Sequence, residues 1–126
     1  SAPSAGCLVW DARGALLVKD WSNEWALPGG SVNASESARC GAEREVFEET
    51  GLTARAGDLA IVFDNGFHLY WCAVPASAEP RIHRPLEVAD VAWWKLEALP
   101  DGTWRYPGQG AMIRKLILAR SEAPTG

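Results

Sequence analysis

The segment from Gly30 to Leu52 constrains the fold of this chain more than any other stretch. Small apolar residues recur there every four positions, the spacing of one helical face: Ala38, Ala42 and Val46. Asn33 or Ser35 can cap the start of such a helix, and Gly51 stands where a helix-ending glycine belongs. The sequence therefore predicts a helix from about Glu36 to Thr50.

Three carboxylates crowd one side of this predicted helix. Glu48 and Glu49 follow Glu45 by three and four residues, so all three share a face. Their repulsion costs a few tenths of a kcal/mol per pair, and folding alone does not offset it. A divalent cation does, because Mg²⁺ prefers carboxylate oxygen and often shares it with substrate phosphates. A solvated acidic face is the simpler alternative, but it leaves the flanking glycines and Arg44 unexplained.

The rest of the chain predicts short strands and one further helix. The predicted strands are Ala5 to Trp10, Ala15 to Lys19, Leu59 to Phe63, Phe67 to Val74 and Val88 to Trp94, with a terminal helix from Ala111 to Arg120. This order favours an α/β fold in which a mixed β-sheet is sandwiched between α-helices. We expect a single domain over residues 1–126, with flexible ends at 1–4 and 121–126.

Charge and cysteine usage restrict the partners and the compartment. The net charge of −4 among 126 residues does not suit binding to a nucleic-acid polymer. No apolar run approaches the roughly 20 residues that a membrane helix needs. Three widely spaced cysteines do not form a disulfide framework, so we expect reduced thiols and a cytoplasmic protein. Local neutralisation by a metal would then be needed for a phosphate substrate.

The same segment resembles the signature of the Nudix hydrolase family, including its MutT-like members. That signature is Gly-x5-Glu-x7-Arg-Glu-U-x-Glu-Glu-x-Gly-U, where U is aliphatic, and all nine defined positions agree from Gly30 to Leu52. The preceding Trp25-Ala-Leu-Pro-Gly-Gly also resembles the usual lead-in. The resemblance implies hydrolysis of a diphosphate linkage in a nucleoside diphosphate-X substrate, with Mg²⁺ as cofactor and Mn²⁺ able to substitute.

The resemblance also implies a role for each matching position. Mg²⁺ would be held by the Gly29 carbonyl and by the carboxylates of Glu45, Glu48 and Glu49. The implied catalytic residues are Glu45, Arg44 and Glu49, with Glu45 as the first choice of general base and Arg44 holding it in place. Structural roles fall to Gly30, Glu36 and Gly51.

A further carboxylate from outside the signature is often recruited in this family. Glu87 is the candidate, because Leu86 to Trp93 resembles the stretch where many members place it; an ordinary strand-edge glutamate is the alternative. Asp90 and Glu97 are weaker candidates.

Substrate recognition is expected outside the signature. Trp104 and Tyr106 could stack on a base and Arg105 could pair with a phosphate, or the two aromatic residues could simply pin their loop to the core. His68 and Tyr70 alternate on a predicted strand, and a tyrosine at this distance resembles a mark of dinucleoside-polyphosphate hydrolases.

Several functions remain open within this family. We favour a small nucleotide substrate such as an oxidised or non-standard nucleoside triphosphate, acted on by a monomer or homodimer. A dinucleoside polyphosphate or a nucleotide sugar is the alternative substrate. A non-catalytic nucleotide sensor and an isoprenoid diphosphate isomerase are the alternative functions.

Overall fold

The computed structural model describes residues 2–122, which form a seven-stranded mixed sheet with one helix on each face. The strands are β1 (Ser4–Asp11), β2 (Gly14–Lys19), β3 (Trp25–Ala26), β4 (Gly29–Ser31), β5 (Arg55–Val62), β6 (Phe67–Ala73) and β7 (Asp90–Trp94). The helices are α1 (Ala38–Thr50) and α2 (Gln109–Glu122), with a short 3₁₀ helix at Leu96–Ala98.

Strand β1 lies at the centre of the sheet. It pairs with β6 in parallel and with β2 and β4 in antiparallel orientation. The main strand order is β3-β2-β1-β6-β5, and β7 pairs with β2 on a separate branch. The predicted mixed sheet is therefore confirmed.

The alternation of side chains along the strands divides the interior into two layers. Cys7 and Val9 of β1 pack in the layer that contains Val46 of α1. Leu8 lies on the opposite face, in the layer that contains Ile113 of α2. Helices therefore cover both faces, as predicted. The adjacent Trp93 and Trp94 also divide between the two layers, as expected for neighbouring strand residues.

Helix α1 ends where the sequence predicts but begins later. Gly51 caps its end in the left-handed conformation, with φ of 73°, and its N–H donates to the carbonyl of Phe47. The predicted caps Asn33 and Ser35 are wrong, because the Oγ of Ser37 caps the start by accepting from the N–H of Cys40, 3.1 Å away.

The remaining boundaries shift by a few residues. Strand β5 begins at Arg55, before the predicted Leu59, and its register with β6 is interrupted by irregularities. Ser4 already belongs to β1, and the Pro3 carbonyl accepts from the N–H of Val32 at 3.0 Å. Residues 1 and 123–126, part of the ends expected to be flexible, lie outside the described residues. Neither described helix is long and apolar enough to cross a membrane.

The expectation of reduced thiols is wrong for two of the three cysteines. Cys7 and Cys72 form a disulfide between β1 and β6, and Cys40 is free and exposed. The bond is possible because neighbouring strands bring the two Cα atoms to 5.5 Å across 65 residues of sequence. Because the two cysteines lie so far apart in the sequence, their spacing does not indicate that they pair. The cytoplasmic location stays a prediction without this support.

Candidate active site

Groups from three separate segments converge beside the C-terminal half of α1. They are the backbone of Gly29 and Gly30 from β4, the carboxylates of Glu45, Glu48 and Glu49 from α1, and Arg84 and Glu87 from the segment between β6 and β7. Strand β4 reaches this position because it pairs with the first residues of β1, over which α1 packs. The residues predicted to hold the metal therefore lie close together: Gly29, Glu45, Glu48, Glu49 and Glu87.

Glu45 approaches the backbone of β4 so closely that only glycine fits opposite it. The side chain is buried, with a relative exposure of 6%. A Cβ atom at Gly30 would stand 2.6 Å from the Glu45 carboxylate, well inside van der Waals contact. The predicted structural role of Gly30 thus has a local reason, which is access of a carboxylate to the strand.

Glu49 lies one helical turn after Glu45 on the same face of α1. One of its carboxylate oxygens accepts from the N–H of Gly29 at 2.8 Å. Burial raises the pKa of Glu49 to about 8, and the hydrogen bond from Gly29 and the charge of Arg84 only partly oppose this. A cation bound nearby would lower this pKa, because it stabilises the ionised form of the carboxyl group.

Arg44 is fixed by several acceptors at once. It donates to Glu36 through Nε and through Nη2, the latter at 2.6 Å, and to the carbonyl of Ser31 at 2.8 Å. Its Nη1 donates to Glu45 at 2.9 Å and to Glu48 at 3.1 Å. These bonds raise the pKa of Arg44 and hold the pKa of Glu36 below its usual range. The expected contact of Arg44 with Glu45 is present.

Arg84 is a member of the site that the sequence analysis missed. Its guanidinium group forms ion pairs with Glu48, with Glu45 at 3.6 Å and with Glu87 at 3.5 Å. The spacing of Arg84 and Glu87, three residues apart, was the only available signal, and it is common. The segment that carries them has irregular structure, so no periodicity indicates where Arg84 points.

The donor set fits a hard divalent cation. The carboxylates of Glu36, Glu45, Glu48 and Glu87 outnumber the two arginines that pair with them, and Mg²⁺ and Mn²⁺ prefer such oxygen ligands. Three of these carboxylates already surround a positive centre, the guanidinium of Arg84. Within residues 2–122, no group of three or more acidic, histidine or cysteine side chains is already arranged around a metal-sized space. Arg44 and Arg84 pair with oxygens of Glu45 and Glu48.

A cavity of about 220 Å³ adjoins the carboxylates. Glu49 and Glu87 line it on one side. The rest of its charged lining consists of two basic and two acidic residues: Lys19, Arg105, Asp20 and Glu24. Cationic side chains beside a carboxylate cluster suit a ligand that carries phosphate groups. Of the three loop residues predicted to bind substrate, Arg105 is the one that lines this cavity.

Trp104 and Tyr106 are placed differently from Arg105. The Trp104 indole N–H donates to the Pro100 carbonyl at 2.7 Å, and its ring packs in the layer beneath α2. It faces a separate cavity of about 730 Å³ whose lining contains none of the clustered carboxylates. Tyr106 is half exposed beside the Arg105 guanidinium. The packing interpretation therefore suits Trp104, and base stacking by either residue stays a prediction.

His68 and Tyr70 lie on β6, outside the lining of the 220 Å³ cavity. Tyr70 is 7% exposed, packs in the layer beneath α1 and carries the Arg39 guanidinium 4.8 Å above its ring. The His68 ring contacts the Tyr70 ring. A substrate role for this pair stays a prediction, and the burial of Tyr70 does not favour it.

The candidates for an additional carboxylate are also separated. Glu87 lines the cavity next to Glu49 and precedes β7, so it is not a strand-edge residue. Asp90 begins β7 opposite Lys19 of β2. Glu97 lies in the 3₁₀ helix and faces the larger cavity. Of the three, Glu87 alone pairs with Arg84, in accord with the preference for it.

Comparisons with known proteins agree with this architecture. A family model described as the NUDIX domain matches residues 1–116. The chain therefore belongs to the NUDIX family. Among solved structures, a MutT protein from Methanosarcina mazei is 25% identical, with a TM-score of 0.72 and 96% of both chains covered. An ADP-ribose pyrophosphatase from Streptococcus suis is 21% identical, with a TM-score of 0.81 and coverage of 97% of this chain and 92% of that one, which shows the shared fold.

Sequence relatives include one protein named as a phosphatase and one named as MutT-like. An 8-oxo-(d)GTP phosphatase from Mycolicibacterium smegmatis is 26% identical over 107 residues, which cover 82% of this chain and 33% of that protein. A MutT-like protein from Streptomyces ambofaciens is 35% identical over 66 residues, covering 52% of this chain and 43% of its own length. The chain thus spans less than half the length of these two curated relatives.

Proposed function

We propose that this protein hydrolyses a diphosphate linkage in a small nucleotide, with Mg²⁺ or Mn²⁺ as cofactor. The observation that carries this proposal is the convergence of four carboxylates beside a cavity lined by Lys19 and Arg105. Carboxylates suit the metal and the basic side chains suit the phosphates of the substrate. Membership of the NUDIX family supports the same reaction class.

The proposed roles follow the positions of the side chains. Glu45, Glu48, Glu49 and Glu87 would hold the metal, together with the Gly29 carbonyl. When bound, Mg²⁺ neutralises non-bridging phosphate oxygens and lowers the pKa of the attacking water. Glu45 would take the proton of that water. Its carboxylate is held in place by Arg44, whose Nη1 donates to Oε1 of Glu45 at 2.9 Å. Arg105 and Lys19 would orient the phosphates from the cavity wall.

An oxidised or non-standard nucleoside triphosphate is the substrate class we favour. Lys19 and Arg105 on the wall of the cavity next to Glu49 suit the phosphate chain of such a nucleotide. The relative from M. smegmatis, named as an 8-oxo-(d)GTP phosphatase, supports this choice. The net charge of −4 favours a small metal-bound nucleotide over a nucleic-acid polymer.

The test is a panel of nucleoside tri- and diphosphate derivatives with Mg²⁺, with released phosphate or pyrophosphate as the readout. We expect turnover of at least one triphosphate, and a fall of about 100-fold or more in Glu45→Gln and in Glu49→Gln. Glu97→Gln, which faces the other cavity, is the matched control and should retain wild-type turnover.

Two outcomes would contradict the proposal. Near wild-type turnover in both Glu45→Gln and Glu49→Gln would remove these residues from the chemistry. Binding of a nucleotide, seen as a thermal shift without any product across the panel, would instead support a sensor.

A further inference from the structure

The guanidinium group of Arg84 is the positive centre of the carboxylate cluster. Nη2 pairs with Oε2 of Glu48, while Nη1 lies 3.6 Å from Oε2 of Glu45 and 3.5 Å from Oε2 of Glu87. These three carboxylates come from two segments that are far apart in sequence. A single cationic group therefore draws together the oxygens that are proposed to hold the metal.

Arg84 differs from Arg44 in how firmly it is held. Arg44 has acceptors outside the proposed metal ligands, namely Glu36 and the Ser31 carbonyl, so it keeps its place if Glu45 and Glu48 are withdrawn. The ion pairs of Arg84 within the described residues all involve the proposed ligands, and its side chain is about one third exposed. Arg84 can therefore leave the cluster for solvent while Arg44 stays.

The backbone at Arg84 is anchored independently of its side chain. The Arg84 carbonyl accepts from the N–H groups of Glu87 at 2.9 Å and Val88 at 2.8 Å. The carbonyl of the next residue, Pro85, accepts from the indole N–H of Trp21 at 2.8 Å. A change of side chain at position 84 should therefore leave this segment in place, and so should a swing of the guanidinium away from the carboxylates.

We propose that Arg84 is a resident cation that occupies the carboxylates of Glu45, Glu48 and Glu87 until a divalent metal displaces it, and that it thereby sets the metal affinity. This inference rests on the proposed function, since it takes these carboxylates as metal ligands. Metal binding then becomes an exchange of cations, because Oε2 of Glu48 already accepts from both Arg44 and Arg84, and one of the two must leave before that oxygen has a lone pair for Mg²⁺. The free energy of the ion pairs that Arg84 loses therefore reduces the net free energy of metal binding.

The test is a titration of the metal-stripped protein with Mn²⁺, followed by electron paramagnetic resonance of the free ion, with no nucleotide present. Arg84→Gln should bind Mn²⁺ about fivefold more tightly than the wild type, the size expected when a partly exposed ion pair no longer competes. Arg105→Gln is the matched control. It removes one positive charge from the wall of the adjoining 220 Å³ cavity without an ion pair to these carboxylates among the described residues, and should change the affinity less than twofold.

Each result has a distinct meaning. Unchanged or weaker Mn²⁺ binding by Arg84→Gln overturns the inference and leaves the proposed function intact, whereas a wild-type protein that binds no Mn²⁺ overturns the proposed function itself. Equal tightening in Arg84→Gln and Arg105→Gln also overturns the inference, because it shows a general effect of charge. If Arg84→Gln does not fold, Arg84→Lys serves instead. An ammonium lacks the planar fork that bridges several carboxylates, so this variant should also bind Mn²⁺ more tightly, and its failure to do so overturns the inference.

Discussion

At Glu49, burial acts against ionisation, and this couples one residue to the stability of the whole fold. Its pKa is about 8 in the folded protein, against an ordinary value of 4.5. Between these two values the folded state binds a proton that the unfolded state has already released. The contribution of Glu49 to stability is therefore fully present below pH 4.5 and is lost as the pH rises through about 8.

We accordingly expect the metal-free protein to lose stability in mildly alkaline solution. The free energy of unfolding should fall by roughly 2–3 kcal/mol between pH 5.5 and 8 through Glu49. Urea denaturation in EDTA at several pH values measures this loss, and Glu49→Gln should flatten the profile. A wild-type profile that is already flat over this range would contradict the shifted pKa.

Among the elements, α1 shows which parts of the site a sequence can predict. Its end and its acidic face follow from local rules, because Gly51 supplies a positive φ and the glutamates recur at helical spacing. Its start does not, because Glu36 accepts from the N–H of Asn33 as a capping box would, yet lies in a turn before the helix. Glu36 instead pairs with Arg44 inside the helix, whose Nη2 donates to the Glu36 carboxylate at 2.6 Å.

Contacts between distant segments lie beyond such local rules. Arg84 reaches the cluster from an irregular segment, so neither helical nor strand periodicity indicates its direction. Cys7 and Cys72 meet because β1 and β6 are parallel neighbours, a pairing decided by the whole sheet. The loop before α2 is equally beyond local rules, because Trp104 packs inward while its neighbour Arg105 lines the cavity.

The C-terminal cap of α1 provides a prediction at this scale. Gly51→Ala would place a Cβ 2.6 Å from the Arg81 carbonyl and force a left-handed conformation on alanine. We expect a loss of roughly 1–3 kcal/mol in the free energy of unfolding, measured by urea denaturation. Gly102→Ala is the control, because Gly102 also has a positive φ but nothing lies within 4 Å of its added Cβ. Equal losses in the two variants would show that the contact with Arg81 does not matter.

For the whole molecule, the disulfide joins two central strands and closes a loop of 65 residues. A cross-link of this kind restricts the unfolded chain more than the folded one. Cys7→Ser together with Cys72→Ser should lower the free energy of unfolding by roughly 2–4 kcal/mol, measured by urea denaturation without reductant. Cys40→Ser, at the free exposed cysteine, is the control and should match the wild type. If reductant leaves the wild-type transition unchanged, the bond does not form in solution.

The parallel pairing of β1 with β6 also has a consequence for the order of events during synthesis on the ribosome. When α1 has just left the exit tunnel, β6 is still inside it, because α1 ends at Thr50 and β6 begins only at Phe67. A nascent chain that stops before β6 lacks the parallel partner of β1, and it also lacks Arg84 and Glu87 of the site. The proposed cation site on α1 is therefore incomplete until the later segments have emerged. Its capacity to bind a cation should arise late and together with the complete fold.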